Sequence, residues 1–238
     1  MCIRDRFRTA VTRLFWNPIR HRSTAYDAMK ESNSEVILDF WFQDVLNDPD
    51  KADARLDLWF KHHQAFDDEI QRRFGTLPDT AYRGQLQRWP MACEDALALT
   101  LVLDQFPRNL FRKQARAYAY DTAALEHARE TIKRGCDRRI HPLAASFLYL
   151  PFEHAEDIYA QDASVALYER LVQRSSARQK PIFERFLDFA HRHRQVITRF
   201  GRFPHRNWVL GRISTDEELE YLDAGGEDFS DSSEKTSG

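Results

Sequence analysis

Three stretches of this chain concentrate side chains able to hold an anion or move a proton. The first runs from Leu97 to Arg112, L-A-L-T-L-V-L-D-Q-F-P-R-N-L-F-R. It supplies the carboxylate Asp104, the amides Gln105 and Asn109, and the guanidiniums Arg108 and Arg112. The second, Leu148 to Asp157, reads L-Y-L-P-F-E-H-A-E-D and bunches Glu153, His154, Glu156 and Asp157. The third, Phe200 to Arg212, reads F-G-R-F-P-H-R-N-W-V-L-G-R. It repeats the Phe-Pro-Arg-Asn logic of the first with Arg202, His205, Arg206 and Asn207. Arginine and asparagine suit a carboxylate or phosphate. Histidine and glutamate suit proton transfer near neutral pH. The candidates are therefore His154, Glu153 and His205 as proton carriers, with Asp104, Gln105, Arg108, Asn109, Arg112, Arg202, Arg206 and Asn207 contacting a ligand.

The elements carrying these groups follow from local rules. Leu97 to Leu103 has no polar face, so its helix is expected to be buried all round. Pro107 lacks an N–H and clashes with the preceding turn, so the helix is expected to end or kink there. A new helix starting at Pro107 would set Arg108, Asn109 and Arg112 near free backbone N–H groups that favour anions. The competing reading is a buried salt bridge of Asp104 with an arginine, fixing a helix corner. On a helix Glu153, Glu156 and Asp157 share a face and His154 meets Asp157, and neighbouring carboxylates would raise the His154 pKa. The arginines of the half-buried third stretch need partners. The acids of the first two stretches are available, so the three are expected to meet. A metal site has little support, because no H-E-x-x-H pattern occurs.

The rest of the chain reads as helix. Ser32 and Glu35 form a capping box before a helix with Ile37, Phe40, Trp41 and Val45 on one stripe. After a loop at Pro49, one long helix is expected from Asp53 to Phe74. A short segment over Leu77 to Trp89 precedes the buried helix opened by Pro90. Further helices are expected at Asp121–Arg134, from Pro142 until Pro151 interrupts it, from an Asp162 cap to Gln173, at Pro181–Phe200, and after the capping box Thr215–Glu218. No segment alternates with period two. The expected fold is all-α, nine to eleven helices in an array of antiparallel hairpins. Residues 1–31 are set aside as a basic leader, a transit peptide or an artefact. Residues 32–222 form the single helical domain, and 223–238 read as an acidic disordered tail.

Composition sets outer limits. The 238 residues carry a net charge of −2, with +5 in residues 1–30 and −8 in residues 216–238. The folded part is near neutral and carries no nucleic-acid motif, which argues against nucleic acid. No apolar run spans a bilayer. The three cysteines, Cys2, Cys93 and Cys136, are odd in number, far apart and without C-x-x-C. A soluble, cytoplasmic protein without a structural disulfide is the expectation. Walker and G-x-G-x-x-G loops are absent, so no nucleotide or other cofactor is expected. Oligomeric state is not encoded in any readable feature.

The motifs D-Q-F-P-R-N-L-F-R, L-P-F-E-H-A-E-D and F-G-R-F-P-H-R-N-W-V-L-G-R together resemble the bacterial "domain of unknown function 924" family, over about Glu35 to Leu222. The resemblance implies a TPR-like helical fold and no established activity. Ala155 stands where that family usually has serine, which argues against a serine nucleophile. Three functions compete. One is a pocket for a small anionic ligand or substrate. Another is a TPR-like scaffold gripping a peptide carboxylate in a groove. The last is a purely structural buried polar network.

Overall fold

The computed structural model describes residues 33–48, 51–86 and 92–230. The basic leader, Ser32 of the expected capping box, the Pro49 loop, Trp89, Pro90 and the last eight residues lie outside the described residues. Among the described residues there are ten helices and no strand. Helix α1 is Ser34–Phe42, α2 Ala52–Phe60, α3 Gln64–Phe74 and α4 Leu77–Tyr82. Helix α5 is continuous in three parts, Cys93–Thr100, a π-turn Leu101–Gln105, and Phe106–Leu110. Helix α6 is Asp121–Lys133, α7 Pro142–Glu153, α8 Ile158–Arg174, α9 Lys180–Phe200 and α10 Asp216–Asp223.

The core forms where apolar stripes converge on α7, which is buried along almost its whole length. Trp41 of α1 stacks on Trp59 of α2 at 5.9 Å, and both meet Phe147 of α7 edge-on. The carbonyls at the end of α1 have no partner within the helix. Arg55 and Trp59 supply one: the Trp41 carbonyl accepts from Arg55 Nε at 2.7 Å and Trp59 Nε1 at 2.9 Å. Burial lowers the Arg55 pKa to about 10, still cationic at neutral pH. Helices α5, α6, α7, α8 and α9 pack in succession around this cluster.

Several local expectations change. Asn33 caps α1, its side chain accepting from Glu35 N at 3.0 Å. The single helix expected over Asp53–Phe74 is two, broken at Lys61–His63. Trp59 and Phe60 turn toward Phe147, whereas Phe66 and Phe74 turn toward Phe40 and Phe106, and one straight helix cannot serve both. No Pro or Gly marks that break. Helix α7 runs through Pro151 to Glu153, because packing on all sides outweighs one missing N–H in its last turn. Asp157, not Asp162, caps α8, accepting from Tyr159 N at 3.0 Å; Asp162 instead pairs with Arg194.

Cys93 and Cys136 form a disulfide, with Cα atoms 5.1 Å apart across 43 residues of sequence. The fold brings together what the sequence separates, and the reason for inferring a reducing compartment goes with it. A bridge over such a loop adds up to about 4 kcal/mol by constraining the unfolded chain. The chain beyond Asp223 also keeps its order to Ser230. A Schellman turn ends α10, with Gly226 N donating to the Tyr221 carbonyl and Gly225 N to that of Leu222. Gly225 takes a φ of 81°, which glycine adopts without strain. Phe229 then packs beside Phe203 and Val196. No described helix is long and apolar enough to cross a membrane.

Candidate functional site

Helix α5 does not stop at Pro107. Phe106 N donates to the Leu101 carbonyl five residues back, and the widened π-turn relieves the clash between the proline ring and the preceding carbonyls. The expected helix N-terminus, with its free N–H groups, is therefore not formed. The second Phe-Pro corner is only a 3-10 turn, Pro204–Arg206. Neither corner offers a backbone anion site. What the π-turn does instead is aim Asp104 and Gln105 into the interior, both buried.

Asp104 is the hub. Its Oδ2 accepts from Gln105 Nε2 at 2.6 Å and its Oδ1 from His154 Nδ1 at 2.8 Å. Arg108 lies 3.6 Å from the same carboxylate, donates to the Asp104 carbonyl at 2.7 Å, and forks onto Asp121 at 2.9 and 3.0 Å. Burial works against an ionised Asp104, but the His154 ring and the Arg108 guanidinium outweigh it and hold its pKa at about 2. Burial, then the Asp121 and Asp104 charges that overcome it, leave Arg108 with a raised pKa.

His154 stands just past the end of α7, in the connection to the Asp157 cap. With Nδ1–H committed to Asp104, the lone pair sits on Nε2. No described side chain bonds Nε2, and the side chain keeps 14% of its surface exposed. The expected upward shift of its pKa is reversed. Burial, with the Arg108 charge, lowers it despite Asp104, so the ring is neutral at pH 7. The helix face expected for Glu153, Glu156 and Asp157 is not formed either, because α7 ends at Glu153. Glu156 turns to Arg212, which forks onto it at 2.6 and 3.0 Å.

Arg206 closes the cluster from the third stretch. It donates to the His154 carbonyl at 3.0 Å, approaches Asp121 at 3.6 Å, and lies over Tyr118 and Phe203 at 4.6 and 4.3 Å. Arg108 faces the same Tyr118 ring at 5.8 Å. Glu153 is buried with Oε1 3.3 Å from His193 Nδ1, which also donates to the Phe189 carbonyl at 2.8 Å. Burial, reinforced by Asp104, raises the Glu153 pKa well above the carboxylate range, and burial drives that of His193 well down. Burial and the Arg206 charge lower His205 to about 4. Glu153 Oε2, His205 Nδ1 and Arg206 Nε are buried without a hydrogen-bond partner.

The three stretches thus meet, through Asp104, Gln105, Arg108, Glu153, His154, His205 and Arg206. The other candidates lie elsewhere. Asn109 and Arg112 bind Asp67 of α3, at 2.8 Å and at 2.5 and 3.1 Å. Arg202 forks onto Glu218 at 2.6 and 2.7 Å, and Asn207 joins it at 3.1 Å. Tyr118, Asp121, His193 and Phe229 were not among the candidates. Asp121 marked only a helix start and His193 lay inside the helix expected at Pro181–Phe200, while Tyr118 and Phe229 carried no local signal. Among the described residues no group of His, Cys, Asp or Glu is arranged to hold a metal ion.

A family model described as "Bacterial protein of unknown function (DUF924)" matches residues 37–226. A solved structure of a protein of unknown function, ATU0120, from Agrobacterium tumefaciens is 41% identical, with a TM-score of 0.67 over 81% of this chain and 97% of that one. No curated protein matches.

Proposed function

We propose, for a chain that belongs to the bacterial DUF924 family of proteins of unknown function, that it binds a small anionic ligand beside the Asp104–His154 pair, with His154 as the proton carrier. The observation that carries this reading is the state of His154. Its Nδ1 is fixed by a buried carboxylate at 2.8 Å, while its Nε2 has no described partner and the ring is partly exposed. A neutral imidazole oriented in this way is a general base. Arg108 and Arg206 flank it and supply positive charge toward an anion.

The test is a thermal-shift panel of small carboxylates and phosphates. A ligand at 100 times its Kd adds about 2.7 kcal/mol, or roughly 5–10 °C in a domain of this size. The shift is expected to vanish in a folded His154→Asn or Arg206→Ala variant. A flat panel on the wild-type protein overturns the reading.

A second reading, a TPR-like scaffold for a peptide, draws on a different face. A groove of about 610 Å³ runs beside Glu156, Ile158 and Ile197, and Trp208 and Ile213 stand almost fully exposed on the segment that follows the second corner.

A further inference from the structure

The segment after α10 folds back onto the polar cluster. Gly226 lies so close to Tyr221 that a Cβ there would meet the ring at 2.5 Å, and the chain turns toward α9. Glu227 forks onto Arg192 at 2.9 and 2.5 Å. Phe229 then stacks on His193, ring centroids 3.5 Å apart and 17° from parallel. The same ring meets Phe203 and His205 edge-on, at 5.9 and 5.8 Å.

This is an unusual seat for phenylalanine. Its flat face covers an imidazole that is itself 3.3 Å from the buried Glu153. Around it, His205 Nδ1, Glu153 Oε2 and Arg206 Nε are buried without partners, and buried polar groups ordinarily find them. The neighbouring residue, Asp228, is exposed and turns away to Ser230, its carboxylate accepting from Ser230 N at 2.9 Å and Ser230 Oγ at 2.6 Å. An aromatic ring on this short segment thus lies against a cluster of histidines beside a buried arginine. Beyond the Schellman turn, the segment is held by Glu227 N donating to Tyr221 Oη at 2.8 Å, by a partly exposed ion pair with Arg192, weak in water, and by one ring.

We propose that residues 224–230 are a displaceable plug, and that Phe229 holds the place of the ring of an aromatic carboxylate ligand whose carboxylate would meet the unpaired Arg206 Nε and His205 Nδ1. The proposal rests on the anion-binding reading of the His154 cluster and names its ligand class. When the ligand ring stacks on His193, the segment lifts, and the carboxylate reaches the Arg206 side of the cluster. In the unliganded protein the plug ring covers His193 and His205.

The probes are acetate, benzoate and phenylacetate, titrated calorimetrically into the full chain and into Phe229→Ala and Glu227→Gln. Removing the plug ring is expected to tighten phenylacetate and benzoate about tenfold and to leave acetate unchanged. Glu227→Gln, which only loosens the strap, is expected to give a smaller gain of the same sign. NMR of the His193 ring supplies an independent readout. Its upfield ring-current shift is lost in Phe229→Ala and returns when phenylacetate binds. Equal affinity of the folded Phe229→Ala variant and the wild type for phenylacetate, or a His193 ring that ignores the bound aromatic, overturns the plug. If acetate binds the wild type and moves the His154 signal while Phe229→Ala gains nothing for aromatics, the plug fails and the anion site stands. If aromatics bind Phe229→Ala and restore the His193 shift with His154 unmoved, the plug stands and the proton-carrier role of His154 fails.

Discussion

Two carboxylates, Asp67 on α3 and Asp104 in the π-turn of α5, each gather polar side chains from the stretch D-Q-F-P-R-N-L-F-R. Around Asp67 both oxygens are taken up by Asn109 and Arg112, and the result ties α3 to the end of α5. Around Asp104 the oxygens are equally engaged, but the partners are not finished. His154 keeps Nε2 without a described partner, and Glu153, His205 and Arg206 nearby each leave a buried atom unpaired. One sequence motif therefore splits across two faces of a helix end, into an anchor and a cluster with unused hydrogen-bonding capacity. Unused capacity distinguishes the Asp104 cluster from the Asp67 anchor, which is built from the same residue types.

The comparison can be broken at its anchor first. Asp67→Ala leaves Arg112 and Asn109 without their acceptor and is expected to cost about 3 kcal/mol in urea unfolding, with ligand binding at His154 retained. A cost below about 1 kcal/mol would mean that Asp67 is not an anchor. Asp104 comes next. Its folded pKa of about 2 lies below the ordinary carboxylate value. Its contribution is thus present above about pH 4 and is lost as pH falls from about 4 toward 2. That contribution is about 2 kcal/mol. Wild type and Asp104→Asn, unfolded at each pH from 6 to 2, are expected to converge at the acid end; parallel curves would remove Asp104 from its role as hub.

Glu153 carries the opposite sign. Burial and the Asp104 charge raise its folded pKa, so its contribution is present below about pH 4 and lost as pH rises. Glu153→Gln, which keeps the shape without the charge, is expected to gain on the wild type as pH rises above the ordinary carboxylate value. A difference independent of pH in paired thermal melts would contradict a protonated Glu153. The smallest effect is reserved for the exposed segment. Trp208→Ala is expected to change stability by less than about 0.5 kcal/mol and to leave anion binding intact. Loss of binding in that variant would move the site to the surface.

Much of this molecule was legible in one dimension. The apolar stripe of α1, the helices expected at Asp121–Arg134 and Pro181–Phe200, and the Thr215–Glu218 capping box are written in residues a few positions apart, and local geometry obeys them. The same holds for the meeting of the three polar stretches, since buried arginines require acids and few acids were available. Other features had no local mark. The break at Lys61–His63, the continuation of helix through Pro107 and Pro151, and the Cys93–Cys136 bridge all depend on what packs against them. So does the sorting of Asn109 and Arg112 away from Asp104, and the seating of Phe229 in what read as an acidic tail. Periodicity and capping act within one or two helical turns, so the sequence by itself determined the helices and the inventory of charged groups. Which acid meets which base, which proline is tolerated and which atoms stay unpaired are properties of helix docking. That docking is a balance of packing and desolvation over residues dozens of positions apart, and only the tertiary structure decides it.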